Sequence, residues 1–411
     1  MRKGSKDTLN AISQQAVHWY REHKRDLPWR RTRNPYHIWI SECMLQQTQV
    51  TTVIPYFEKF LKRFPNVEAL ASADLDTVYQ YWAGLGYYRR ARQLHAAAQQ
   101  VVASNATPFP QNVADILMLP GIGKYTAHAI GSFAFDAPCG IVEANTQRLY
   151  ARLIACDAPI SISATQKILW DYATSLVNAW ALPSGELNQA LMELGSQICK
   201  PKDPACNRCP LKSHCRAYQL KQTERIPAPK EKKIITPLNE IALLLVDNQH
   251  RWLLRRCKPD ERWAGLWDFP RYDTTHFDDE QQAINHALNS FRNRYGIQLT
   301  VLGPGAQVQH SVTRYKITLK SYQTALPDKL TAAQRRDLYP TPLMVCNEPK
   351  PSVAPSKTTK TKSKLQTDTL SEQPKGDEGD ELAWYTLAEL RKVALSSSGR
   401  KLCKWLESSS V

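Results

Sequence analysis

The chain has no signal peptide and no apolar run of membrane length. Neither secretion nor a membrane span is therefore expected, and a cytoplasmic location is. No periodic repeat is evident, so solenoids and propellers drop out. Acidic residues are the scarce charge: 38 Asp and Glu stand against 54 Lys and Arg, a net +16. That imbalance favours a polyanionic partner such as nucleic acid. At 411 residues, 42% of them hydrophobic, the chain holds two or three domains with real cores. The eleven tryptophans suit cores, and flat rings also suit base stacking.

Ten cysteines are present, and four are fenced into a short span. Cys199, Cys206, Cys209 and Cys215 form C-x6-C-x2-C-x5-C at the end of a helical segment. Four such thiolates can close around one [4Fe–4S] cluster. They also suit zinc, although the gaps of six and five are wider than most zinc-ribbon spacings. Disulfides are not expected without an oxidising compartment. Cys43, Cys139, Cys156, Cys257, Cys346 and Cys403 are scattered and read as free, buried thiols. Lys200, Lys202, Arg208, Lys212 and Arg216 make the four-cysteine loop basic.

Residues 7 to about 218 read as mostly helix, with helical apolar spacing in Ile12–Tyr20, Ile38–Phe60, Val78–Val102, Val113–Phe135 and Gln189–Cys199. Residues 219–237 read as a linker. Beyond it Glu240–Val246 and Trp252–Arg255 are strand-like and hairpin-spaced, Val312–Tyr322 alternates, and Ala283–Tyr295 reads as a helix. The second domain, 238–410, is thus α/β. Within it, 349–381 is rich in Lys, Ser, Thr and Pro and reads as a disordered insertion. Trp384–Leu395 resumes order, and Leu402–Leu406 belongs to a last helix.

Two features carry chemistry on physical grounds. Pro120-Gly121-Ile122-Gly123 is a glycine hairpin opening a helix near Tyr125, and its backbone N–H groups can approach a phosphate. Glu42 lies on an otherwise apolar helix beside Ile38, Ile40, Met44 and Leu45. Such a carboxyl has a raised pKa and can serve as a general acid.

Ser41–Val50 (with Leu45-Gln-Gln-Thr-Gln49), Trp82–Tyr88, the hairpin and the four cysteines closely resemble, in order and spacing, the MutY family of adenine DNA glycosylases. The likeness runs over residues 8–218 and continues more weakly beyond. It implies a mostly α helix-hairpin-helix domain (1–218) of the endonuclease III superfamily with one [4Fe–4S] cluster on the four cysteines. A smaller α/β Nudix-like recognition domain follows. The implied activity is hydrolysis of the N-glycosidic bond of adenine mispaired with 8-oxoguanine or guanine in double-stranded DNA, by a monomer.

The resemblance also assigns roles. Glu42 becomes the acid for N7 of adenine. Tyr125 and Asn145 become positioning groups. Tyr125 stands where the strand-cutting endonuclease III branch has a nucleophilic lysine, so the enzyme is expected to be monofunctional. Lys124 is read as a non-catalytic basic neighbour. Gln47 and Tyr87 match duplex wedges. Thr48 and Leu85 match positions near the opposing base, Gly121 and Gly123 the phosphate hairpin, and Trp29, Arg30 and Gln189 the adenine pocket.

Three departures stand out. Glu143 replaces the family's usual Asp as stabiliser of the sugar cation, with Ala144 for Gly. Asn293 and Arg294 fall where a working Nudix site has acids, so no Nudix hydrolysis is expected. Val312-Thr313-Arg314 replaces the Phe-Ser-His lesion loop, leaving Thr313 and Arg314 as its recognition residues. These changes leave open a glycosylase of different base or opposite-base choice, or a mismatch binder without catalysis.

Overall fold

A computed structural model describes residues 5–104, 109–180, 183–229, 234–339 and 380–409. The chain divides into two compact units, Met1–Ile234 and Ile235–Val411. Among the described residues no helix is long and apolar enough to cross a membrane.

The first unit is helical: α1 (Lys6–His23), α2 (Pro35–Leu45), α3 (Val50–Arg63), α4 (Val67–Ala71), α5 (Leu75–Trp82), α6 (Arg89–Ala103), α7 (Val113–Leu117), α8 (Lys124–Phe135), α9 (Ala144–Ile154), α10 (Ser163–Ala179), α11 (Ser184–Gln197) and the short α12 (Arg216–Gln219). Local chemistry sets the starts. Asn34 accepts from the N–H groups of Tyr36 and His37, with Pro35 in the first turn of α2. Helix α2 then buries nearly every residue from Tyr36 to Met44, so it runs through the interior. One core joins Leu9, Ile12 and Val17 of α1 to Leu149 of α9, Leu169 and Leu176 of α10, and Leu187 and Leu194 of α11.

Two apolar stretches that read as single helices are each two. Ile38–Phe60 breaks after Leu45, where Gln47 takes a left-handed backbone (φ 55°). Val78–Val102 breaks between α5 and α6, where Gly84, Gly86 and Tyr87 all have positive φ. The apolar period continues across both breaks because each flanking helix buries its own stripe. Helices α9 and α10 had no separate apolar signature in the sequence.

The second unit carries one sheet built from β1 (Thr236–Val246), β2 (Trp252–Arg256), β3 (Trp267–Asp268), β4 (Arg271–Asp273), β5 (Thr300–Val312), β6 (Tyr315–Ala325) and β7 (Leu382–Tyr385). Its order is β3-β2-β1-β6-β5, with β4 on β1 and β7 on β2. β1 and β6 are parallel, with Glu240 opposite Leu319, whereas β1 and β2 form the antiparallel hairpin, with Val246 opposite Trp252. Alternation along β1 supplies two cores. Ala242 and Leu244 face Leu402 and Leu406 of α16 (Ser397–Ser409). Ile241, Leu243 and Leu245 face Ala287 and Phe291 of α13 (Glu280–Tyr295). Two short helices, α14 (Ala332–Leu338) and α15 (Leu387–Leu390), complete the unit.

Three boundaries differ from the sequence reading. Val312–Tyr322 is not one strand: Val312 ends β5 and Tyr315 starts β6. The segment 219–237 is a linker only in part, because Ile226 is buried in the first unit's core and β1 begins at Thr236. The stretch 349–379 lies outside the described residues, but Asp380 and Glu381 belong to the fold. The Asp380 side chain is 1% exposed and ion-paired with Arg294, Arg255 and Lys258. Among the scattered cysteines, Cys43, Cys156, Cys257 and Cys403 are buried, Cys139 is only half-buried, and Cys346 lies outside the described residues.

Candidate active site

A cleft of about 1440 Å³ opens in the first unit, lined by Glu42, Tyr125, Glu143, Asn145, Trp29, Arg30, Gln47, Thr48 and Gln189 among others. Three helices deliver its reactive groups. Glu42 comes from the interior helix α2 and is 3% exposed. The Tyr125 hydroxyl, in the first turn of α8, donates to Glu42 Oε2. Burial pushes the Glu42 carboxyl up to about 7; the Tyr125 bond opposes this rise and the nearby Glu143 charge adds to it.

Glu143 is the N-cap of α9. Its Oε1 accepts from Thr146 N (2.9 Å), and its Oε2 accepts from Asn145 N (2.8 Å) and Asn145 Nδ2 (3.2 Å). Thr146 Oγ1 in turn accepts from Glu143 N, completing a capping box. Burial raises the Glu143 pKa, while the bonds from Asn145 and Thr146 hold the carboxylate down. The longer side chain thus reaches the donors of the first turn of α9, with Ala144 between. Asn145 Oδ1 accepts from Arg148, which also donates to Gly195 O and Cys199 O (2.6 Å each). A Cβ on Gly195 would lie 2.7 Å from Asn145 O, so only glycine lets α11 approach this closely.

The pocket wall is cross-tied. Glu193, fully buried, accepts from Arg25 and Arg30. Burial alone would raise its pKa, but these bonds outweigh it and hold the group at about 2. Arg30 lies over the Tyr20 ring, and Tyr20 OH donates to Gln189 Oε1 (2.9 Å). Trp29 packs edge-on against Phe57. Tyr20 and Glu193 gave no signal in sequence, since each acts through partners more than 160 positions away.

Gln47 and Tyr87 are both exposed, and Thr48 is half-buried. Leu85 is buried, 6% exposed. The hairpin turns at Gly121 (φ 75°), and Gly123 caps α8. Lys124 does not line the cleft; its Nζ sits 4.1 Å from the Trp170 ring centroid.

Cys199, Cys206, Cys209 and Cys215 line one small cavity walled by Leu149, Leu153, Ile198 and Pro204. Arg152, buried, donates to Cys199 Sγ (3.3 Å), Lys200 O and Ile226 O. Among the described residues no three His, Cys, Asp or Glu side chains form a single-ion site. Four sulfur donors around a small, mostly apolar cavity fit an iron–sulfur group chemically.

In the second unit Thr313 and Arg314 form the exposed two-residue turn between β5 and β6. Thr313 is left-handed (φ 53°), and Arg314 donates to Tyr315 OH (3.0 Å). Arg294, at the Nudix acid position, is bound to Asp380 instead.

Residues 40–174 match the HhH-GPD superfamily of base excision DNA repair proteins, and residues 241–352 match the NUDIX domain. The fold is thus that of a base-excision DNA repair protein. The adenine DNA glycosylase of Buchnera aphidicola subsp. Baizongia pistaciae is 38% identical over 266 residues, 64% of this chain and 75% of that protein. That of Buchnera aphidicola subsp. Schizaphis graminum is 35% identical over 268 residues, 65% of this chain and 76% of that protein. The Mus musculus adenine DNA glycosylase is 42% identical over 272 residues, covering 64% and 52%. The chain belongs to the adenine DNA glycosylase family.

Proposed function

We propose that this adenine DNA glycosylase acts on adenine mispaired with 8-oxoguanine or guanine, is monofunctional, and holds one [4Fe–4S] cluster. The observation that carries the chemistry is the facing pair of carboxyl groups. Glu42 has a pKa of about 7, and the Glu143 carboxylate is held by three donors. Unequal environments divide two carboxyl groups into an acid and an anion. Glu42 gives its proton to the leaving adenine, and the glycosidic electron pair departs with the base. Glu143 stabilises the cationic sugar until water adds to its anomeric carbon and gives a proton back to the Glu42 carboxylate. Asn145 and Tyr125 fix the two carboxyl groups. Trp29 and Arg30 wall the adenine pocket, and Gln189 reads the adenine edge, with its amide oriented by Tyr20.

Tyr125 supports monofunctionality because a phenol forms no imine, and Lys124 is turned onto Trp170. Cys199, Cys206, Cys209 and Cys215 would hold the cluster, which supplies a rigid scaffold for the basic loop. Thr313 and Arg314 would meet the opposite base or its phosphate.

Single-turnover base release on duplexes with adenine opposite 8-oxoguanine, G, C or T, with and without alkali, tests this reading. Release confined to the first two, with strand cleavage only after alkali, is expected. Cleavage without alkali would make the enzyme bifunctional. Tight mismatch binding without release would make it a non-catalytic binder. For the cluster, purified protein should contain four irons per chain, and Cys206→Ser should lose iron and DNA affinity. A colourless, iron-free, active enzyme would rule the cluster out.

A further inference from the structure

Two loops of the first unit, one after α2 and one after α5, carry Gln47 and Tyr87. Both residues are exposed, and both hold left-handed backbone (φ 55° and 48°) despite having a Cβ. Such conformations persist only where the surroundings over-determine them. One side chain does so for both loops. Arg90, in the first turn of α6, donates through Nη1 to the carbonyls of Cys43 (2.7 Å), Met44 (3.0 Å) and Gln46 (2.6 Å). Through Nη2 it donates to the carbonyls of Leu85 and Gly86 (3.2 Å each) and to Thr48 Oγ1 (3.4 Å). Its guanidinium also lies over the Trp82 ring (5.3 Å) and the Tyr87 ring (5.5 Å).

The division of labour is physical. One terminal nitrogen serves the C-terminal end of α2, where helix carbonyls are unpaired and the dipole favours a cation. The other serves mainly the glycine turn before Tyr87. A planar fork can span two loops in this way, whereas an ammonium concentrates its donors at one point. The guanidinium is half-buried among these carbonyls, and that burial lowers its pKa.

We propose that Arg90 is the positioning residue for nucleotide extrusion, locking the Gln47 and Tyr87 loops into one rigid wedge before DNA arrives. The proposal rests on reading those two residues as the wedge. Both loops must enter the stack together, and ordering either one on contact would weaken extrusion.

The test uses the full chain, with a 2-aminopurine reporter of unstacking, single-turnover base release and thermal melting. Arg90→Lys keeps the charge and removes the fork. It should slow release from adenine opposite G by roughly ten- to a hundredfold and leave Tm close to wild type. It should recover most of that loss when the adenine faces an abasic spacer, where extrusion costs less. Gln47→Ala and Tyr87→Ala should each slow the wild-type enzyme and add little in the Arg90→Lys background. An equal loss on paired and unpaired adenine would reduce Arg90 to a structural role and overturn the proposal. Wild-type extrusion by Arg90→Lys, with both wedge variants impaired, would overturn it alone. If neither wedge variant affects extrusion, the wedge reading and the proposal fall together. Amide hydrogen exchange on the unmodified protein is independent of how any variant folds. Residues 44–48 and 83–88 should be protected in the absence of DNA, and rapid exchange in either segment would overturn the proposal.

Discussion

At the scale of a single residue, the acid role proposed for Glu42 ties function to cost through burial. The acid gives up a proton only from its neutral form, and that form dominates below its pKa of about 7. Single-turnover release should therefore be level in mildly acidic buffer and fall about tenfold per pH unit above roughly 7. Glu42→Gln should remove that limb and lower the rate by about 10²- to 10⁴-fold while DNA affinity survives. Retained turnover would take Glu42 out of the role. The stability sign follows from the same shift. The folded pKa lies above the 4.5 of the unfolded chain, so the folded state binds the proton more tightly. Its contribution is complete below 4.5 and is lost as pH rises through about 7, a change of about 3 kcal/mol. Glu42→Gln should accordingly melt above the wild type at about pH 8 and beside it at about pH 4, as calorimetry would show.

At the scale of an element, α9 carries the site at one end and the cysteine loop along its side. Glu143 caps it, Arg148 ties it to Gly195 O and Cys199 O, and Arg152 reaches Cys199 Sγ and Ile226 O. Glu143→Ala should cost about 1 kcal/mol in a urea melt through the lost cap, and base release should fall by two or more orders of magnitude with the lost anion. Glu143→Asp should restore the cap and most of the rate, because Asp is among the preferred capping residues. A Glu143→Ala enzyme that still turns over would assign the anion elsewhere.

This helix also marks where the sequence stops being readable. Glu42 stood out because a lone carboxylate interrupts an apolar helix, and the cysteine spacing and glycine hairpin are local patterns. Helix α9 turns Thr146 and Arg152 inward, so its buried face does not look apolar. Arg90 and Tyr20 are silent for a different reason. The carbonyls that Arg90 reaches after α2 and the amide that Tyr20 reaches lie 44 to 47 and 169 positions away, and a local window holds only the Leu85 and Gly86 side of the Arg90 bridge. Asp380 was read into a featureless insertion because its partners, Arg294 and Arg255, precede it by more than 80 residues.

At the scale of the whole molecule, a chain of net charge +16 meets a polyanion, and binding and chemistry draw on different residues. The groups proposed for the chemistry are buried or half-buried in the first unit, whereas Lys200, Lys202, Arg208, Lys212 and Arg216 are all exposed around the cysteine loop. Each phosphate neutralised by a lysine or arginine releases counterions, so affinity should fall steeply as salt rises, by about 0.9 in the logarithmic slope per contact. Chemistry at saturating enzyme should hardly respond. Replacing Lys202 and Arg208 by alanine should therefore reduce the slope of log Kd against log salt by up to about two, leave iron content intact, and leave the single-turnover rate at saturation near wild type. A slope that does not move would place the DNA path away from the cysteine loop. A rate that falls at saturation would mean the loop positions the cleft as well as the backbone.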